Sequence, residues 1–149
     1  MSRTYVPKAL RERVSTAAHC RCGYCLTAEA IVGTPMEIDH IVPESLGGLT
    51  EDDHLGLSCA LCNQHKGNRI AAPDPVTGER VPLFDPRRQR WHEHIAWTTE
   101  QDRIVARTSV GRATLVALDL NRSSLVSARK AWTAVGWRPP ADGTRSGQR

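Results

Sequence analysis

Asp39 and His40 stand side by side in "MEIDHIVPESLGG", residues 36–48, inside a short apolar run that ends at Pro43 and the Gly47–Gly48 pair. A carboxylate is a hard oxygen ligand suited to Mg²⁺ or a similar divalent ion. An imidazole, with an ordinary pKa of about 6.5, can take a proton from water at neutral pH. On a strand the two side chains point to opposite faces. Asn63, directly after Cys62, offers an amide oxygen as a second protein ligand, and His54 is placed to hold the strand or loop near His40. Two protein ligands leave positions for waters and a phosphate oxygen, where an ion stabilises the charge that builds during displacement at phosphorus. The plainer reading of the same residues is a solvated Asp-His turn, with Asn63 capping the helix that follows.

Four cysteines form two tight pairs, Cys22-Gly-Tyr-Cys25 and Cys59-Ala-Leu-Cys62, separated by 33 residues. Each CxxC knuckle can bite one ion with two thiolates, and together they supply the tetrahedral set that Zn²⁺ favours. A redox role needs only one pair. The segment between the knuckles contains Asp39, His40 and His54, so zinc would clamp the ends of the unit that carries the candidate chemistry. A small hairpin-and-helix unit buries too little apolar area to stand alone, and a structural zinc contributes roughly 10–16 kcal/mol of apparent binding free energy. Cys20 is left over and is expected to be a free thiol.

These residues need elements to hold them. Residues 7–19 read as a helix, with Pro7 at a permitted first-turn position and Leu10, Val14 and Ala17 on one face. "PMEIDHIV" and "HLGLSC" read as two short strands, and "ALCNQHKGNRIA" as a knuckle running into a helix. Beyond residue 72, "DPVTGERVPLF" and "HIAWTTEQDRIVART" read as hairpins turning at Thr77-Gly78 and at "TEQD". Two helices follow, with Ser109 and Asn121 as candidate N-caps.

Residues 1–72 carry 7 basic and 8 acidic side chains, whereas residues 73–149 carry 13 and 8. The net charge of +4 and pI near 9.0 suit a polyanionic partner. No apolar run reaches the ~18 residues needed to span a membrane, and the N-terminus lacks a signal-peptide core. A cytoplasmic protein is expected.

The block "CGYC…EIDHIVPESLGG…DDHLGLSCALCNQHKGNR", residues 22–69, resembles the HNH endonucleases of the ββα-metal (His-Me finger) group. The following "DPVTGERVPLFDPRRQRWHEHIAW…GRATLVALDLNR…LVSARKAW" is similar to the C-terminal extension of a subgroup of small bacterial HNH proteins. The resemblance implies that Asp39 and Asn63 bind a catalytic Mg²⁺ or Mn²⁺ ion, that His40 is the general base, and that the substrate is DNA. It also implies a middle residue, usually asparagine before a leucine, that holds the loop near the base. Here His54 precedes Leu55, a departure that leaves the base and both proposed ligands in place. His65 is a rival ligand, but two residues along a helix turn it about 200° from Asn63.

The expected architecture is α+β: a zinc-stapled ββα-metal HNH core with an N-terminal helix (1–72), a basic β-hairpin/helix extension packed on it (73–137), and a disordered tail (138–149). Lys66, Arg69, Arg87, Arg88 and Arg90 are candidate phosphate contacts, with solvated surface charge as the alternative. The expected activity is metal-dependent hydrolysis of DNA phosphodiester bonds, and the rival is a zinc-stabilised nucleic-acid-binding module that does not cut. One active site makes one nick at a time, so double-strand cuts would require a homodimer or two visits.

Overall fold

Leu10 and Val14 lie one helical turn apart and are the buried residues of α1 (Lys8–Ala17), which Pro7 precedes. The helix packs on the second strand of an antiparallel hairpin, β1 (Glu37–His40) with β2 (Leu55–Ser58), whose register pairs Asp39 with Gly56 and His40 with Leu55. Arg11 of α1 reaches over β1 and donates to the Met36 carbonyl at 2.5 Å. Every residue of β2 is buried, because α1 and the first cysteine knuckle cover it. Between α1 and β1 lie that knuckle and a single-turn helix, α2 (Glu29–Val32). The computed structural model describes residues 4–141, so residues 142–149 of the expected tail lie outside the described residues.

The ends of the hairpin loop are held by two 3-10 turns, Glu44–Leu46 and Asp52–His54. Gly47 has φ +89°, and a Cβ on Gly48 would lie 1.7 Å from the Val42 carbonyl oxygen, so both positions require glycine. After β2, Cys59 caps α3 (Ala60–Lys66) by accepting from the Cys62 N–H, and α3 packs on β1. Strand, strand and helix are thus the three parts of the expected ββα unit.

The remainder is built on two more hairpins and two helices. β3 (Ala71–Pro73) pairs with β4 (Arg80–Pro82). A short helix α4 (Trp91–His94) leads into β5 (Ile95–Trp97), which pairs with β6 (Ile104–Ala106). α5 (Ser109–Ala117) and α6 (Ser123–Ala134) follow. The first hairpin begins three residues earlier than the sequence pattern suggests, and it is locked by Asp74. That carboxylate is buried and accepts two bonds from Arg112, at 2.9 and 2.8 Å, together with the Val76 N–H and the Thr77 hydroxyl.

The caps differ from the sequence reading. Thr108, not Ser109, caps α5 by accepting from the Gly111 N–H. Arg122 precedes α6, and Asn121 instead bonds both backbone groups of Ile104 in β6. The Asn121 amide has one donor and one acceptor face, which matches a strand's N–H and C=O better than a helix end does.

One hydrophobic cluster runs from Leu10 and Val14 through Tyr24, Met36, Leu55 and Leu57 to Phe84, Trp91, Ile95, Ile104 and Leu125. Polar contacts cross the same boundary. Trp91 Nε1 donates to the Tyr24 carbonyl at 2.8 Å, and Arg87 Nη1 donates to the carbonyls of Asp52 and Leu55 at 2.6 and 2.8 Å. No helix among the described residues is long and apolar enough to cross a membrane.

Candidate active site and metal centre

The four knuckle sulfurs, from Cys22, Cys25, Cys59 and Cys62, all lie within 4.8 Å of one another, with Cys25 and Cys59 at 3.8 Å. A tetrahedral zinc with Zn–S bonds of about 2.3 Å sets sulfurs about 3.8 Å apart, so this cluster is compatible with structural zinc. Local backbone explains why. In each knuckle the N–H groups after the first cysteine point back at its sulfur, at 3.4–3.5 Å. The first knuckle is pinned to β2 by the bond from Gly23 N–H to the Leu57 carbonyl, 2.8 Å. Cys20 is exposed and outside the cluster.

β1 and α3 together build the second site. Glu37 and Asp39 project from the same face of β1, and Asn63 and Lys66 from the same face of α3, one turn apart. The facing pairs meet. Asn63 Nδ2 donates to Glu37 Oε1 at 2.8 Å, and Lys66 Nζ donates to Asp39 Oδ1 at 3.2 Å. An ionised carboxylate only accepts, so the Glu37 contact fixes the amide with its NH₂ toward the strand and its oxygen free to ligate. Glu37, Asp39, His40 and Asn63 line one open pocket of about 480 Å³, together with Glu44 and Asn68. Sequence reasoning passed over Glu37, although its position two residues before Asp39 on a strand was a legible signal.

Asp39 is only 4% exposed. Its other oxygen, Oδ2, accepts from the Tyr24 hydroxyl at 2.8 Å. Burial pushes its pKa up, and the Lys66 ammonium and Tyr24 hydroxyl act in the opposite direction. Each oxygen accepts one of these bonds and keeps lone-pair capacity, so the donor set of Asp39, Asn63 and Glu37 fits a hard divalent cation.

His40 is oriented by a residue the sequence did not single out: its Nε2 lies 2.9 Å from Thr50 Oγ1, and Glu44 Oε2 lies 4.0 Å away. The His54 ring faces Glu51 and Asp53, at 3.8 and 3.6 Å, and does not line the pocket. The His54 backbone carbonyl accepts from Ile41 N–H at 3.1 Å and so extends the hairpin just beyond His40. His65 likewise does not line the pocket.

The candidate phosphate contacts separate into two groups. Lys66 is 1% exposed, and its ammonium is enclosed by Asp39 and the carbonyls of His40 and Ile41 at 3.3 and 3.1 Å. The expectation of a solvent-facing Lys66 is therefore corrected: its helix face packs on β1. Arg87 is tied to Asp52 and Leu55. Arg88 and Arg90 are exposed, paired at 3.4 Å with Asp53 and Asp85 and at 3.9 Å with Glu93. Arg69 is exposed and donates to the carbonyls of His65 and Ala117.

Residues 22–69 match the family model described as HNH endonuclease, a segment that spans both cysteine knuckles, the β1–β2 hairpin and α3. No curated protein and no solved structure matches the chain.

Proposed function

We propose that the protein is a metal-dependent endonuclease that hydrolyses phosphodiester bonds of DNA. The observation that carries this reading is the meeting of Asp39, His40 and Asn63 on the walls of one pocket, from two elements and across an insert bounded by the two cysteine knuckles. Asp39 and Asn63 would hold a Mg²⁺ or Mn²⁺ ion. Such an ion, when bound, neutralises charge on the phosphate and on the leaving 3′ oxygen.

The chain's own residues supply the rest. His40 Nε2 lies against Thr50 Oγ1, and in the tautomer that donates Nε2–H to that hydroxyl the Nδ1 lone pair accepts a proton from water. Water attack with loss of the 3′ oxygen yields 5′-phosphate and 3′-hydroxyl ends. Lys66 and Tyr24 fix the Asp39 carboxylate, and Glu37 fixes the Asn63 amide, so no side chain needs to reorganise. Arg69, Arg88 and Arg90 supply exposed positive charge for the sugar-phosphate backbone.

A second reading, a zinc-stabilised nucleic-acid-binding module, is favoured by one observation: both oxygens of Asp39 already have protein partners. Plasmid nicking with Mg²⁺ or Mn²⁺ separates the two. His40→Ala should reduce cutting at least 100-fold, the low end of the general-base contribution of ~10²–10⁴. Equal cutting by wild type and His40→Ala would remove His40 as the base. Absence of cutting by wild type, with DNA affinity intact, would favour the binding module.

A further inference from the structure

Arg122 lies outside the matched HNH segment, yet its guanidinium spans the cysteine cluster. Nη1 is 3.7 Å from Cys62 Sγ and Nη2 is 3.7 Å from Cys59 Sγ, the two ligands of the second knuckle. The fork is held from behind by the Asp119 carbonyl, which accepts from Nη1 at 3.3 Å. Its Nε is buried and has no hydrogen-bond partner among the described residues. About two turns further along, in α6, Arg129 is fully buried over the Trp97 ring, bonded to the carbonyls of Leu120 and Asp102.

Four thiolates around one Zn²⁺ carry a net charge of about −2, and burying such a charge without compensation is costly. The HNH segment contributes backbone N–H groups and the Thr27 hydroxyl, 3.2 Å from Cys25 Sγ, but no cation to these sulfurs among the described residues. The positive charge comes from the extension. We infer that Arg122 is the outer partner of the zinc centre, setting how tightly the four cysteines hold the metal and tying α6 to the metal-loaded core. This rests on the zinc reading of the cluster and is independent of DNA cleavage.

Transfer of zinc from the full-length protein to a chromogenic chelator tests it. Arg122→Gln should release zinc at least 10-fold more readily, in line with the ~10–100-fold effect of losing an outer-shell partner. Arg122→Lys should lie between, because a point charge cannot bridge two sulfurs. Arg107→Gln, at an exposed position on the same extension, should match wild type. With Co²⁺ in place of zinc, loss of the N–H···S bonds should move the thiolate-to-metal charge-transfer band to lower energy, a readout available in Arg122→Lys if the Gln variant does not fold.

Wild-type zinc release by a folded Arg122→Gln protein, or an unmoved cobalt band in Arg122→Lys where only that variant folds, would overturn the assignment. Wild-type protein that binds no stoichiometric zinc would overturn both this inference and the four-thiolate centre beneath it.

Discussion

Asp39 illustrates how one side chain is prepared for a role by its neighbours. Removed from water, a carboxylate tends to take up a proton; a buried ammonium and a phenol on its two oxygens offset part of that tendency, and the pKa stays raised. Glu37 does the corresponding work for Asn63, which makes it a positioning residue. Glu37→Ala should raise the Mn²⁺ concentration needed for half-maximal binding by about 10-fold, followed by the electron-spin signal of the free ion. Glu37→Gln keeps an acceptor facing the Asn63 amide and should restore binding most of the way. Equal Mn²⁺ affinity in Glu37→Ala would show that the amide needs no such support.

At the level of elements, the loop between β1 and β2 sets His40, the proposed base. It leaves the strand at Ile41, turns through the Glu44–Leu46 turn, and returns with Thr50 against His40. Gly48 is the pivot, packed against the Val42 backbone with no room for a side chain. Gly48→Ala should destabilise the protein by about 1–3 kcal/mol, read from the denaturation midpoint, and displace Thr50, so cleavage should fall more than stability alone explains. Unchanged stability and activity would mean that the loop yields freely.

The hairpin and α3 were legible in the sequence because apolar alternation and paired CxxC spacing are local signals. The meeting of Asp39, His40 and Asn63 at one pocket follows from those same elements. Thr50, Tyr24 and Arg122 were not legible. Their partners lie 10, 15 and about 60 residues away, and neither composition nor periodicity encodes those distances. Lys66 was misplaced on the solvent side because charge suggests exposure, whereas here a buried carboxylate and two strand carbonyls hold it inside.

Across the whole molecule, carboxylates paired with arginine make stability sensitive to acid. The Arg112 fork holds the Asp74 pKa well below the ordinary carboxylate value, and Arg87 does the same, less strongly, for Asp52. A depressed folded-state pKa gives stability that is present above the unfolded value, about 4, and lost as pH falls below it. Asp39 has the opposite sign: its raised pKa lets the folded state bind the proton first, so its contribution does not drive acid unfolding. Thermal midpoints should therefore drop below pH ~4, and Asp74→Asn should flatten that decline. An unaltered slope in the variant would place the acid sensitivity elsewhere.

Tyr24 sits between the two cysteines of the first knuckle, and three parts of the molecule converge on it. Its N–H points at Cys22 Sγ, its carbonyl receives the Trp91 indole, and its hydroxyl holds Asp39. The candidate catalytic carboxylate is thereby referenced to the cysteine knuckle and not to its own strand alone. Displacement of β1 relative to the knuckle must stretch the 2.8 Å bond from the phenol ring as well as the Gly23–Leu57 link through β2. The cysteine knuckle thus serves as a datum for the carboxylate proposed to bind the second ion: a shift at Cys22 or Cys25 moves the Tyr24 ring that holds Asp39.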